Sequence, residues 1–176
     1  MAWCMARNIE IKARLSDLTA ARAKAIGLGA RAYVVEEQVD SYYALEGGRR
    51  VKVRRINGGR SELIDYERPE GSGVRASDYT ITPLADDAPA PGDPVVVVRK
   101  RREVLLIDNV RVHLDQVEGL GSFLELEAVV DAAHDDAVCR AQVDRIMNAL
   151  GLREGDLIRA SYAELLIHKG KPNPTP

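Results

Sequence analysis

The sequence predicts an α+β fold: eight antiparallel strands closed into a barrel, with helices on its flanks and charged side chains inside. Three observations predict it. Asn8-Ile9-Glu10-Ile11-Lys12 and Phe123-Leu124-Glu125-Leu126-Glu127 alternate charged or polar residues with apolar ones. A strand sends residues i and i+2 to one face, so Glu10 with Lys12, and Glu125 with Glu127, oppose faces of Ile and Leu. Both faces then need cover, the apolar one by helices and the charged one by other charges. Second, Arg99-Lys100-Arg101-Arg102 follows Val95-Val96-Val97-Val98 directly, as in a strand that carries charge inward. Third, the strand-like segments follow one another through short turns, which makes the pairs antiparallel. Eight such strands can close and leave no edge.

The elements follow in order. Residues 7–14 alternate as a strand. Ser16 or Asp17 caps a helix to about Ile26, which Gly27 and Gly29 end. Residues 33–45 form the second strand, with Gln38, Asp40 and Tyr42 at alternate positions, and Glu46-Gly47-Gly48 turns. Residues 50–56 alternate Val51 and Val53 with Lys52 and Arg54, and Asn57-Gly58-Gly59 is a hairpin turn. Strands at 62–68 and 77–82 are joined by the loop 69–73. Residues 83–94, rich in Pro, Ala and Asp, read as a surface loop. Strands at 95–107, 110–117 and 122–130 are separated by Asp108-Asn109 and by Glu118-Gly119-Leu120-Gly121. A helix runs from Asp135 to about Leu150 with Cys139, Val143, Ile146, Met147 and Leu150 as its apolar stripe, and Gly151 stops it. Ser161-Tyr162-Ala163-Glu164 fits a capping box for a short last helix. Residues 1–170 read as one domain and 171–176 as a disordered tail.

Composition narrows the function classes. The chain has 176 residues, 30% of them charged, and a net charge of −2. That balance argues against a broadly basic nucleic-acid surface. The two cysteines, Cys4 and Cys139, have no metal-ligand spacing and make no disulfide framework. No apolar run reaches the length of a membrane span, and no signal-peptide core is evident. The expected setting is the cytoplasm, with neither nucleic acid nor membrane as partner.

Taken at alternate positions, one face collects Glu10, Lys12, Arg14, Lys52, Arg54, Lys100, Arg102, Arg111, His113, Asp115, Glu125 and Glu127. Cations in such a lumen would neutralise a chain of phosphates, and carboxylates would bind a hard divalent ion that also takes phosphate oxygens. The alternative for each strand is a solvated outer face. Glu125 beside Glu127 weighs against it, since like charges need cations to answer them. His113 reads as a general base or as structural, and His134 and His168 as surface. Tyr42, Tyr43 and Tyr66 read as packing or as stacking platforms. Gly119-Leu120-Gly121 is a turn and not a phosphate loop, because no helix follows it. Cys139 reads as core.

At these residues the chain resembles the CYTH superfamily, the triphosphate tunnel enzymes that include class IV adenylate cyclases and thiamine triphosphatases. The resemblance spans about 7–166. Its first carrier is Asn8-Ile9-Glu10-Ile11-Lys12, similar to the family strand E-x-E-x-K. The most specific carrier is the late hairpin from Val110-Arg111-Val112-His113-Leu114-Asp115 to Leu124-Glu125-Leu126-Glu127. Ser161-Tyr162-Ala163-Glu164-Leu165-Leu166 resembles the C-terminal signature of class IV cyclase-like proteins.

The resemblance implies magnesium or manganese held by Glu10, Glu125 and Glu127, with Asp115 near the metal or its water. It places a triphosphate against Lys12, Lys52, Arg54, Lys100, Arg102 and Arg111, with Arg68 as a further member. Glu10, Lys12 and Asp115 take catalytic roles. ATP would give cyclic AMP and pyrophosphate in a cyclase. In a hydrolase, thiamine triphosphate or tripolyphosphate would lose a terminal phosphate. A non-catalytic phosphate-binding module and a purely structural barrel are the other classes, and a homodimer is consistent with the family. Asn8 stands where the family has its first glutamate, and Glu67 where many members have a lysine. The proline-rich stretch 83–94 replaces what is often a helix.

Overall fold

The computed structural model describes residues 6–45, 49–67, 74–85, 88 and 91–170. Eight strands form it: β1 (Ala6–Leu15), β2 (Arg31–Ala44), β3 (Arg49–Ile56), β4 (Ser61–Glu67), β5 (Arg75–Leu84), β6 (Val96–Ile107), β7 (Val110–Val117) and β8 (Gly121–Val129). They close into a barrel in the order β1-β5-β4-β3-β2-β6-β7-β8, and every pair is antiparallel. The predicted fold class is therefore the observed one.

Period-two alternation decides what lies outside and inside. On β1, Ile9 and Ile11 face outward and are buried, as are Leu124 and Leu126 on β8 and Val110 and Val112 on β7. They are covered by α1 (Leu18–Gly27) and α2 (Asp136–Leu150), whose Ala21, Ala25, Cys139, Val143, Ile146 and Leu150 complete the cluster. Each helix starts at an aspartate: Asp17 accepts from the Ala20 N–H, and Asp135 from the Val138 N–H, both at 2.9 Å. Gly151, at φ 80°, ends α2 in the left-handed conformation that glycine adopts freely. Among the described residues, no helix is long and apolar enough to cross a membrane.

A 3-10 turn (Glu154–Asp156) leads to α3 (Tyr162–Gly170). Glu164 accepts from the Ser161 N–H at 2.6 Å, and the Glu164 N–H donates to Ser161 Oγ at 3.2 Å, the reciprocal box the sequence predicts. The box orients α3 so that Tyr162 and Ala163 are buried against Tyr42, Val98, Val117 and Phe123. These residues lie at one end of their strands, so α3 covers that end of the barrel.

Three strand boundaries differ from expectation. β2 begins at Arg31, two residues early, and β5 spans Arg75–Leu84 where 77–82 was expected. Pro83, expected to open the loop, instead lies in β5 opposite Glu62. Among the described residues, Pro83 is paired only through β4. Residue 68, the loop 69–73 and the tail 171–176 lie outside the described residues.

Truncating Leu124, fully buried between β8 and the outer helices, should cost about 2–5 kcal/mol. Chemical denaturation of Leu124→Ala measures this. A loss under about 1 kcal/mol would show that the helix-covered face is not a packed core.

Candidate functional site

The inward faces of the strands line a cavity of about 320 Å³. Lys12, Lys52, Arg54, Lys100, Arg102 and Arg111, each expected to meet phosphate, all line it, with Glu10, Glu125 and Glu127. Register explains the grouping. Glu125 pairs with Lys12 on one side and His113 on the other, and Glu127 with Glu10 and Arg111.

Two buried aspartates organise the cations. Asp40, 1% exposed, accepts from Lys52 at 2.7 Å and from Arg54 at 2.7 and 2.8 Å, with Lys100 at 3.8 Å. Asp115, 0% exposed, accepts two hydrogen bonds from Arg102 at 2.6 and 2.5 Å and one from the Tyr162 hydroxyl at 2.8 Å. Burial alone would favour their neutral forms. The neighbouring cations outweigh it, holding Asp40 well below the usual carboxylate range and Asp115 below it. Burial, then the neighbouring Arg54, pulls Lys52 down to about 7, with Asp40 opposing.

The carboxylates of β8 are answered in the same way. Lys12 Nζ lies 3.1 Å from Glu125, and Arg102 bonds the other oxygen of that carboxylate. Arg111 lies 3.2 Å from Glu127. Against the desolvation that burial imposes, Lys12 and Arg102 hold Glu125 well below its ordinary value. Lys12 also sits 3.7 Å above the Tyr162 ring, so the covering helix touches both halves of the charge set.

The geometry and the sequence agree with a family model. The CYTH domain model matches residues 6–162. The chain belongs to the CYTH domain family. It is 35% identical over 68 residues to a Methanocaldococcus jannaschii protein named "Putative adenylate cyclase"; the match spans 39% of this chain and 39% of that relative. A solved Pyrococcus horikoshii protein is 28% identical with a TM-score of 0.79, covering 90% of this chain and 98% of its own. A Hippeastrum structure, described as a "putative adenylyl cyclase" with "a dominant" triphosphatase activity, shares the fold at 15% identity and TM-score 0.59, over 95% of this chain and 98% of its own.

Within this CYTH domain, ligand atoms of His113, Glu125 and Glu127 lie within 4.8 Å of one another. His113 Nδ1 is buried and has no hydrogen-bond partner; it lies 3.7 Å from each carboxylate, too far for one. Two carboxylates and an unpartnered imidazole nitrogen suit a divalent ion. The oxygens accept magnesium or manganese, and the nitrogen suits a first-row ion better than magnesium. The residues present therefore fit a metal.

The other expected ligands are placed differently. Glu10 lines the same wall but is ion-paired with Arg75 at 3.1 Å. Asp115 lies behind the cavity wall, held by Arg102 and Tyr162. Asn8 bridges neighbours: its Oδ1 accepts from Arg111 at 3.3 Å and its Nδ2 donates to Glu127 at 3.4 Å. A carboxamide serves there because it meets a cation and a carboxylate at once. Arg14, expected inside, is exposed at the barrel end, where it donates to the Leu120 carbonyl at 2.7 Å and lies over Phe123. Arg68 lies outside the described residues. His134 is half-buried against Asp131 and Asp108, and His168 is exposed.

Reasoning from sequence missed the organising role of Asp40, although its alternation with Gln38 and Tyr42 was a signal. It missed Arg75 because β5 was started too late. Asp40→Asn would leave Lys52 and Arg54 buried without their anion. It should destabilise the fold by about 3 kcal/mol, measured by urea denaturation. An unchanged midpoint would show that the aspartate does not hold these cations together.

Proposed function

We propose that this protein is a metal-dependent enzyme that acts on a triphosphate inside its tunnel, converting ATP to cyclic AMP and pyrophosphate. One observation carries the reading. Lys12, Lys52 and Lys100 converge near the end that α3 covers, beside the carboxylate pair of β8. Such a pocket receives a polyphosphate from its terminal end.

The chain's own residues would divide the work. Lys52, Lys100 and Arg54 would hold the terminal two phosphates and stabilise the charge of departing pyrophosphate. Arg111 would meet the phosphate next to the sugar. Asp40 and Asp115 touch no substrate; they position Arg54 and Arg102. Glu125, Glu127 and His113 would hold the metal ion, which neutralises phosphate oxygens when bound. Lys12 and Arg102, now facing Glu125, would then turn to phosphate. A second reading is hydrolysis of a terminal phosphate, favoured because the same lysines would surround that phosphorus.

Purified protein with ATP, thiamine triphosphate or tripolyphosphate and Mg or Mn tests this by product analysis. Cyclic AMP with pyrophosphate is expected; orthophosphate would establish the hydrolase instead. No turnover of any of the three would overturn the enzymatic reading. Glu125→Gln with Glu127→Gln should lower turnover at least about 100-fold. The same double variant should bind tripolyphosphate more tightly than wild type without metal, because two negative charges leave the lumen. Weaker metal-free binding would contradict the charge exchange.

Lys52 gives a pH dependence. In the free protein it is partly protonated near pH 7, since its pKa is about 7. A bound anion favours the charged form and raises that pKa. Binding therefore takes up a proton, and affinity falls as pH rises through and beyond about 7. Calorimetry on wild type and Lys52→Arg, which stays charged, separates this from titration of the ligand. Identical pH slopes in the two would contradict it.

A further inference from the structure

The cavity changes character along its length. On β2, Asp40 and Tyr42 lie toward the end covered by α3. Tyr33 lies seven residues before Asp40, on the order of 20 Å away along the strand. Against β6, the register of β2 shifts between Ala32 and Val34, which leaves Tyr33 as the inserted residue. Bulges at barrel rims re-aim a side chain. Here the re-aimed ring lines the tunnel cavity and is 70% exposed. Ile81, 45% exposed, lines the same cavity from β5, together with Ile56 and Val104. Arg75, at the other end of β5, bonds the Arg159 carbonyl close to α3, so Ile81 lies toward the opposite mouth. The tunnel is thus cationic under Tyr162, while toward the other mouth it presents the exposed Tyr33 ring and Ile81 beside the ion pairs of Arg60 with Glu36 and Glu62.

A ligand that uses both regions is anionic at one end and carries a flat ring at the other, which the exposed face of Tyr33 can meet. Inorganic tripolyphosphate offers nothing to the mouth. We infer that Tyr33 is a specificity-determining residue that stacks on a flat ring at the organic end of the triphosphate, so that the substrate is a ring-bearing organic triphosphate and not an inorganic polyphosphate. This rests on the proposal that the tunnel holds a triphosphate. The bulge then has a purpose beyond register, because it adds an aromatic ring near the mouth to the residues that β2 otherwise sends to the cavity, Val34, Glu36, Gln38 and Tyr42.

The test measures binding of ATP, thiamine triphosphate and tripolyphosphate, without metal, to wild type, Tyr33→Ala, Tyr33→Leu and Tyr33→Phe. Wild type should prefer at least one ring-bearing triphosphate over tripolyphosphate by about fivefold to thirtyfold, the contribution of one stacked ring. Tyr33→Ala and Tyr33→Leu should lose that preference, Tyr33→Phe should keep it, and tripolyphosphate affinity should stay unchanged in all four. A purely structural role would move every ligand together. Equal losses for all ligands, or no preference in wild type, would overturn the role of Tyr33 while leaving the triphosphate reading intact. Failure of wild type to bind any of the three would overturn the triphosphate reading and this inference with it.

Discussion

Ionised side chains inside a barrel must be answered by opposite charge within hydrogen-bond reach, and the rest of this molecule follows from that constraint. Asp40 and Asp115 are the two points where it is met most completely. Each accepts two hydrogen bonds from one arginine across a strand pair, Arg54 from β3 to β2 and Arg102 from β6 to β7. Removing one partner of such a group leaves a buried charge and costs far more than the pair contributes. These bonds therefore tie strand register to the arrangement of the lumen. The Asp115 carboxylate also accepts from Tyr162, so the covering helix is fastened to the same network.

A charge set already satisfied within the protein sets the terms for any ligand. Lys12 and Arg102 face Glu125, and Arg111 faces Glu127, so an incoming polyanion competes with carboxylates for the same donors. On the proposed function, a divalent ion on the β8 carboxylates would relieve that competition. Cations for phosphate and carboxylates for metal would thus be interdependent, and each would strengthen the binding of the other's ligand. Lys52 shows how close the balance lies, since burial and Arg54 bring its ammonium to the edge of deprotonation at neutral pH.

Much of this was legible in the sequence because period two is a local property. Glu125 with Glu127, and Lys100 with Arg102, declare their shared face within three residues. The same rule carried Arg14 inward, where the strand has already reached the barrel end. Residues whose role depends on a distant element were not legible. Tyr162 matters because α3 docks on Phe123, and Tyr33 lines the tunnel because a bulge turns it there. Asp115 shares the inner face that alternation gives it, but Arg102 and Tyr162 draw it behind the wall. Pro83 was read as a loop because proline lacks the N–H of a ladder, whereas the structure pairs it with Glu62 of β4. The His113 cluster required three residues to converge from two strands, although His113 and the β8 glutamates were each visible singly.

The central claim is that the tunnel takes a triphosphate terminal end first, with the metal on β8. A crystal structure with manganese and a non-hydrolysable ATP analogue tests it most directly, since anomalous scattering places the ion independently of the phosphates. The account predicts manganese on His113, Glu125 and Glu127 and the terminal phosphate among Lys12, Lys52 and Lys100. Manganese elsewhere, or phosphates bound outside the barrel with the Asp40 and Glu125 ion pairs undisturbed, would contradict it.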